Sequence, residues 1–238
     1  METGPHQERL PEDGSPAAEG RPPGGATIAA RLADRRRCAA CSGGLHPGLY
    51  DAVMWPAEVL FVRRWRRRLY AAAGGAPGAR LLEIGAGTGA GLRFVPPGSD
   101  LVAVEPARAL AARARARAAA TRVTVVEACG EKLPFADASF DAALATLTLC
   151  SVSEPRVVLA ELRRVLRPHG RLLVLEHVHN TWQPARRLQS LFAPAWRRVA
   201  QGCRLDQDTV ALIEAAGFVV EQRREHLLGW IVELEARR

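Results

Sequence analysis

The sequence predicts an α/β fold, with a mostly parallel sheet of seven strands, helices on both faces and an antiparallel last strand. Short apolar segments alternate with segments of helical periodicity, and such alternation requires right-handed crossovers between parallel strands. Residues 80–84 form an apolar segment that runs directly into a turn with three alternating glycines. A second apolar segment, 100–104, ends at a single carboxylate, Glu105. Together these observations place a ligand at the carboxyl edge of the sheet.

The elements follow from periodicity and from glycine and proline positions. A first helix is predicted over 49–73, interrupted near Pro56 and ended by Gly74 and Gly75, because apolar residues recur at helical spacing. Gly217 caps the last helix. The strands after 80–84 are predicted at 100–104, 122–127, 140–145, 171–176, 218–224 and 228–234. The helices after the first are predicted at 88–94, 106–119, 154–166, 183–199 and 206–215.

Composition favours a cytoplasmic protein. The 238 residues carry a net charge of +8, and Lys132 is the only lysine among 33 basic residues. No apolar run approaches the about 20 residues that span a bilayer, and the start of the chain lacks the apolar core of a signal peptide. The positive charge is read as compositional bias, so nucleic acid is not expected as a partner, whereas peripheral contact with a membrane remains open. Five cysteines in such a chain favour reduced thiols.

The chain divides into a tail and one domain. Residues 1–45 are predicted to be a disordered basic tail, because residues 1 to about 25 are rich in Pro, Gly, Glu and Ala, although 26–37 are also compatible with a short basic helix. Residues 46–238 are predicted to form a single folded domain. The tail holds the pair Cys38 and Cys41, but only His46 is near, and a structural zinc site needs four ligands. No metal site is therefore predicted there.

The glycine turn alone leaves two ligands open. Gly85, Gly87 and Ala90 satisfy the fingerprint of dinucleotide-binding proteins, so an NAD-linked oxidoreductase is one hypothesis. The pyrophosphate of a dinucleotide is held by a helix N-terminus. The other hypothesis is a nucleoside that carries a sulfonium cation and an amino group, both of which suit a nearby carboxylate such as Glu83. Either ligand has a ribose, whose two hydroxyls Glu105 is placed to bind.

Three segments extend this pattern, and they occur in one order along roughly residues 49–225. Residues 83–89 read Glu-Ile-Gly-Ala-Gly-Thr-Gly, which resembles motif I of the class I S-adenosylmethionine-dependent methyltransferases. Residues 130–141 are similar to that family's loop between strands three and four, and 161–176 to its helix, turn and fifth strand. The resemblance implies a Rossmann-like fold, S-adenosylmethionine as cofactor, and in-line SN2 transfer of a methyl group to a small-molecule acceptor.

The resemblance also implies the cofactor site. One position departs from the family pattern, because Cys129 stands where many members carry an acidic residue that accepts the adenine amino group. Adenine is then expected against backbone groups around Gly130 and the side chain of Leu133. This departure also keeps open a non-catalytic S-adenosylmethionine-binding protein. The implied cofactor-binding residues are Glu83, Gly85, Ala86, Gly87, Gly89, Glu105, Pro106, Cys129, Gly130, Glu131, Thr146 and Leu147.

Shorter motifs bear on the acceptor. They are Tyr50-Asp51 with Met54, Leu149–Val152, Glu176–Val178, and Pro194–Trp196 with Gly202-Cys203. These motifs resemble the thiol S-methyltransferase (methyltransferase-like seven) branch, which methylates small, often lipophilic thiols, and bacterial phospholipid methyltransferases. A thiol acceptor is favoured, and a phospholipid or quinone-type acceptor at a membrane surface is the alternative. The resemblance also places Tyr50 and Asp51 in a lid over the cofactor.

His177 is the candidate catalytic residue, since an imidazole with an ordinary pKa near 6.5 suits proton removal at neutral pH. A hydrogen bond to a loop backbone would explain it equally well. Glu176, His177 and His179 are close in sequence, but no third ligand is evident, so no metal is predicted. Cys150 is expected to pack rather than react. The substrate pocket is predicted at Tyr50, Cys150, Trp182 and Trp196. Residues 59–70 are expected to cover the cofactor with their arginines in solvent.

Overall fold

A computed structural model describes Met1 and residues 47–75, 77–119, 122–200 and 202–238. Its seven strands form one sheet in the order β3-β2-β1-β4-β5-β7-β6. The strands are β1 Arg80–Ile84, β2 Asp100–Val104, β3 Val123–Val126, β4 Phe140–Thr146, β5 Leu166–His177, β6 Val219–His226 and β7 Ile231–Arg237. The helices are α1 Pro47–Ala57, α2 Arg63–Ala73, α3 Arg108–Ala118, α4 Pro155–Val165, α5 Gln183–Val199 and α6 Thr209–Ala215.

The sheet topology confirms the predicted fold class. Strands β1 to β5 pair in parallel, and β7 pairs antiparallel with both β5 and β6. The order reverses between β1 and β4, because β2 and β3 continue to one side and β4 and β5 to the other. Crevices that bind ligands form at the carboxyl ends of strands at such a switch point.

Two hydrophobic clusters cover the two faces of the sheet. Successive strand residues point to opposite faces, so Leu82 packs in the cluster that contains α4 and α6. Leu81 packs in the other, with α2 and α3. Helices therefore lie on both faces, as the alternating pattern predicted. Within the described ranges, no helix is long and apolar enough to cross a membrane.

The first predicted helix is present but interrupted. A π-helical turn, Glu58–Val62, joins α1 to α2 and begins two residues after Pro56. Proline has no backbone N–H and clashes with the preceding turn, which accounts for the break. The expectation that all arginines of this segment lie in solvent is wrong at Arg66. That side chain is 9% exposed, and its guanidinium lies 3.3 Å from the Glu58 carboxylate.

The predicted helix at 88–94 is the clearest error. Only a short 3-10 helix, Leu92–Phe94, follows the glycine turn. Gly87 and Gly89 have φ angles of +58° and +81°, which an α-helix cannot contain. β5 also begins earlier than predicted, since Leu166 already pairs with Phe140 before a bulge. The other elements are present, with ends shifted by a few residues.

The predicted tail at 1–45, with Cys38 and Cys41, lies outside the described residues apart from Met1. The division into a tail and a domain at 46–238 stays a prediction.

Candidate functional site

The glycine turn between β1 and the short 3-10 helix is shaped by two different requirements. At Gly85 (φ +63°), a Cβ atom would lie 2.4 Å from the Thr148 side chain, so no other residue fits. At Gly87 (φ +58°), a Cβ atom would meet nothing within 4 Å. The glycine turn therefore packs tightly against the turn after β4 on one side and presents the backbone at Gly87 to open space, where a ligand can approach closely.

Glu105 ties the glycine turn to the end of β2. Its Oε2 accepts the N–H of Gly87 at 2.8 Å, and its Oε1 accepts the N–H of Ala107 at 2.9 Å. Burial raises the pKa of this carboxyl, and the two N–H groups oppose the rise. A carboxylate has about four acceptor positions, so each oxygen can still accept another donor. Ala86, Gly89 and Pro106, also predicted to bind the cofactor, are part of the same two turns.

Two buried oxygen atoms nearby have no hydrogen-bond partner within the described part of the chain: Oε2 of Glu83 and Oγ1 of Thr146. They lie on the adjacent strands β1 and β4, where Glu83 pairs with Leu144. Burial raises the pKa of Glu83, and the charge of Arg66 and the neighbouring Tyr70 hydroxyl oppose the rise. A buried polar atom without a partner is costly and rare in native structures. A ligand that supplies donors at this edge would satisfy both atoms.

An ionic latch fixes α1 beside the glycine turn. One oxygen of Asp51 accepts the Thr88 hydroxyl at 2.6 Å, and the other lies 2.8 Å from Arg113 and 2.7 Å from Arg117. Burial opposes ionisation, but the Thr88 hydroxyl and the charges of Arg117 and Arg113 prevail, so the pKa of Asp51 is lowered. The side chain of Tyr50, the other predicted lid residue, is not among those described.

The loop after β3 holds the residues predicted to contact adenine. Cys129, Gly130 and Glu131 are half-buried, and Leu133 is fully buried. The N–H of Leu133 donates to the Glu161 carboxylate at 2.7 Å, which fixes the loop against α4. The structure thus brings this loop, like the glycine turn, to the carboxyl edge of the sheet.

A second buried carboxylate, Glu176, holds the turn after β4. Its Oε1 accepts the N–H groups of Thr148 and Leu149, both at 2.6 Å, and its Oε2 accepts that of Cys150 at 3.3 Å. Burial raises the pKa of Glu176 to about 7 in spite of these bonds. Leu147, at the start of the turn, has a φ angle of +54°. Glu176 therefore positions the backbone of the turn.

His177 lies against two cysteines. Its Nδ1 is 3.8 Å from Sγ of Cys150 and 3.5 Å from Sγ of Cys203, and the two sulfurs are 3.4 Å apart. The hydrogen bond between the sulfurs lowers the pKa of Cys203, and His177 lowers it further. The same bond, together with burial, raises the pKa of Cys150. Burial lowers the pKa of His177, but the hydrogen bond and charge of Cys203 and the charge of Glu176 raise it overall.

Sequence reasoning missed this cluster. Residues around Glu176 and His177 were expected to lack a third ligand, but Cys203 joins His177 and Cys150. His179 instead faces Asp208, at 3.9 Å. The only hint of Cys203 in the sequence was its place in the motif with Gly202. Cys150 does pack, as expected, but against sulfur and imidazole.

The two tryptophans of the predicted substrate pocket lie at the surface. The Trp196 ring is 6.4 Å from the His177 ring, edge to face, and 41% of the residue is exposed. Trp182 is 68% exposed at the start of α5. Further exposed apolar side chains are Leu188, Leu191 and Phe192 on α5 and Trp55, Leu60 and Phe61 near the chain's first helices.

The switch point, the glycine turn and the acid after β2 define a Rossmann-like protein that binds a nucleoside-containing cofactor. The family model described as "Methyltransferase domain" matches residues 82–174. Thiol S-methyltransferase TMT1B of Homo sapiens is 36% identical over 194 residues, which cover 76% of this chain and 79% of that protein. A demethylmenaquinone methyltransferase of Renibacterium salmoninarum is 38% identical over 125 residues, 52% of each chain.

Solved structures agree on the fold. A geranyl diphosphate methyltransferase in complex with GPP and sinefungin is 17% identical, with a TM-score of 0.64 over 74% of this chain and 77% of that one. A SAM-dependent methyltransferase from Aquifex aeolicus is 19% identical, with a TM-score of 0.59 over 82% and 99%. The chain belongs to the S-adenosylmethionine-dependent methyltransferases: it is an enzyme, and S-adenosylmethionine is its cofactor. The NAD hypothesis is not supported.

Proposed function

We propose that this enzyme methylates the sulfur of a small, lipophilic thiol. The observation that carries the proposal is the 36% identity to human thiol S-methyltransferase TMT1B across 76% of the chain. Thiol S-methyltransferase TMT1A of Homo sapiens, 36% identical over 146 residues, adds support. The exposed apolar side chains of α5, beside the turn that holds Cys150, suit the approach of an apolar molecule.

The residues at the carboxyl ends of β1 and β2 and in the loop after β3, called here the cofactor half of the site, fit S-adenosylmethionine together with Thr146 at the end of β4. The remaining acceptor positions of Glu105 suit the two ribose hydroxyls, and the open space at Gly87 admits the cofactor close to the backbone. The unpartnered oxygens of Glu83 and Thr146 suit the amino group and the positive charge of the methionine end. Cys129, Gly130 and Glu131, with Leu133, would flank the adenine. These assignments describe one continuous site along the carboxyl ends of β1, β2, β3 and β4.

The bound cofactor supplies a methyl group that is already activated on a sulfonium sulfur. The protein then has to hold the acceptor in line with the methyl carbon, which can contribute up to about 7–11 kcal/mol. A thiol with a pKa near 8.5 is partly ionised at neutral pH, so the acceptor needs little help in losing its proton. His177, the candidate catalytic residue, is half-buried beside the turn that holds Cys150.

The decisive experiment compares acceptors of equal shape. Purified enzyme with labelled S-adenosylmethionine is offered hexanethiol, hexanol and hexylamine, and products are identified by mass spectrometry. We expect methyl hexyl sulfide, and neither methyl hexyl ether nor N-methylhexylamine. Methylation of the amine or alcohol but not of the thiol would overturn the proposal.

A quinone-type acceptor is the second candidate, favoured by the identity to demethylmenaquinone methyltransferase. Two further acceptors are offered in the same assay. Detergent-solubilised demethylmenaquinol, a naphthoquinol, tests the quinone-type acceptor, and phosphatidylethanolamine vesicles test the phospholipid. Turnover of the naphthoquinol in the absence of thiol turnover would replace the first proposal with this one.

The cofactor assignment has its own test in Glu105→Ala. A hydrogen bond to a charged group contributes about 1.5–3 kcal/mol, so losing the ribose contacts should weaken S-adenosylmethionine binding at least about tenfold in calorimetry. Asp100→Asn is the matched control, because Asp100 begins the same strand, is half exposed and pairs with Arg122. Equal affinity of Glu105→Ala and the wild type would contradict the assignment.

A further inference from the structure

We infer that Cys150, His177 and Cys203 form a binding site for a thiophilic divalent cation, for which zinc is the reference ion. We further infer that the ion's remaining coordination position takes the sulfur of the acceptor. The second part rests on the proposed thiol methylation, whereas the first does not. Thiolate and imidazole are the ligands that zinc prefers in proteins.

The ligand atoms already stand at the spacing that zinc requires. The sulfurs are 3.4 Å apart, and Nδ1 of His177 is 3.5 Å and 3.8 Å from them. Tetrahedral zinc, with bonds of about 2.3 Å to sulfur and about 2.0–2.1 Å to nitrogen, holds its ligands about 3.6–3.8 Å from one another. The three atoms therefore approximate one face of a coordination tetrahedron, and a shift of a few tenths of an ångström completes it.

The backbone around the cluster holds this arrangement. Glu176 fixes the turn that carries Cys150 through three N–H groups. The loop that carries Cys203 is joined to that turn, because the N–H of Arg204 donates to the carbonyl of Cys150 at 2.8 Å. Metal ligands in proteins are usually supported by such outer contacts. Preorganisation of this kind distinguishes the cluster from cysteines that merely pack together.

The site leaves one coordination position for a ligand from outside the chain. In the described ranges, these three side chains form the cluster without a further His, Cys, Asp or Glu. Glu176 is committed to backbone N–H groups. Catalytic zinc sites keep a position open in this way, in contrast to structural sites with four protein ligands. Cys150 follows β4 and His177 ends β5, so the cluster lies at the carboxyl edge where the acceptor of this fold is expected.

The chemistry balances without any further reactant. Coordination breaks the S–H bond of the acceptor thiol and releases its proton to solvent, since a metal-bound thiol is deprotonated. A lone pair of the bound sulfur then forms the bond to the methyl carbon. The carbon–sulfonium bond breaks, and its electron pair stays on the cofactor sulfur. The products are a neutral thioether, a weak ligand that can leave, and S-adenosylhomocysteine.

The first test measures metal binding in the full chain. Reduced, metal-free protein is titrated with Zn²⁺ against a chelator and with Co²⁺ by absorption, where tetrahedral thiolate coordination gives a charge-transfer band. We expect one equivalent, retained by the double variant Cys38→Ser/Cys41→Ser and weakened at least tenfold by Cys150→Ser and by Cys203→Ser. S-adenosylmethionine binding, measured for every variant, reports whether the protein is folded.

Three outcomes would overturn the metal site. In the first, the protein binds no zinc. In the second, substituting Cys38 and Cys41 abolishes zinc binding, whereas substituting Cys150 or Cys203 does not. In the third, protein isolated without reductant contains a Cys150–Cys203 disulfide, and added zinc does not change its formation. Each is visible without measuring methyl transfer, so a failure here differs from a failure of the proposed function.

The second test concerns the acceptor. Hexanethiol added to the Co²⁺-loaded protein should intensify the charge-transfer band, whereas hexanol should leave it unchanged. An unchanged spectrum with the thiol, or full thiol methylation by metal-free enzyme, would overturn the role in acceptor binding and leave thiol methylation itself intact.

Discussion

The carboxyl edge has a cofactor half around Glu105 and an acceptor half around Glu176. The same arrangement of a buried carboxylate occurs in both halves, but it has a different role in each. In each half, a buried carboxylate at the end of a strand accepts backbone N–H groups from the neighbouring turn. Glu105 accepts two, from Gly87 and Ala107, and keeps acceptor positions beside an open turn. Glu176 accepts three, from consecutive residues of one turn. The first carboxylate is arranged to meet a ligand, and the second is arranged to fix a backbone on which other side chains depend.

The largest effect is expected at Gly87, where a pair of glycine variants distinguishes contact with the cofactor from strain in the backbone. Gly87→Val and Gly98→Val both place a side chain on a glycine with positive φ, +58° and +81°, where nothing lies closer than 3.9 Å to the added Cβ. Both variants should lose stability. Of the two variants, only Gly87→Val should also weaken S-adenosylmethionine binding, because its side chain would overpack the space that the cofactor enters. Overpacking costs about 1–3 kcal/mol, so calorimetry should show a loss of affinity of about 5- to 150-fold. Equal affinities for the two variants would mean that Gly87 does not face the cofactor.

The second effect tests whether Glu176 is structural. Glu176→Gln replaces one acceptor oxygen with an NH₂ group, which leaves at least one buried N–H of the turn unsatisfied. We expect the free energy of unfolding to fall by about 1–3 kcal/mol in denaturant titrations.

Glu105→Gln is the counterpart in the other half and should mainly weaken S-adenosylmethionine binding. If Glu176→Gln weakened cofactor affinity as strongly while leaving stability unchanged, the contrast between the two carboxylates would be wrong.

The smallest effect concerns the latch of α1. Asp51→Asn weakens ion pairs that are partly exposed, each contributing about 0.2–1 kcal/mol, so S-adenosylmethionine affinity should fall about two- to fivefold. Glu221→Gln, which alters an exposed pair with Arg237, is the control. A latch variant with wild-type affinity would show that α1 does not help to retain the cofactor.

The latch also predicts a pH dependence. The pKa of Asp51 is lowered in the folded protein, so its contribution to stability is complete above the ordinary pKa of 3.8. That contribution is lost as the pH falls through the lower, folded-state pKa. The difference in unfolding free energy between wild type and Asp51→Asn should therefore be constant near neutral pH and shrink in acid below about pH 4. A difference that grows in acid would contradict the assignment.

The sequence was informative where the site is local. The strand, the glycine turn and Glu105 lie within 26 residues, and their order predicted both the sheet edge and a nucleoside ligand. The helix predicted at 88–94 failed for a local reason too, since periodicity does not reveal that Gly87 just before it and Gly89 within it adopt positive φ. Buried Arg66 was missed because its partners, Glu58 and the neighbourhood of Glu83, come from different elements.

By itself, the sequence predicted the fold class and the glycine turn and acid of the expected cofactor site, because periodicity and glycine spacing act over a single strand–turn unit. Only the tertiary structure decided the cluster of Cys150, His177 and Cys203. Cys150 follows β4, His177 ends β5 and Cys203 follows α5. The sheet order and the return of the loop after α5 bring them within hydrogen-bond distance. A contact between residues 26 and 53 positions apart leaves no periodic trace in the chain, since it depends on how separate elements pack.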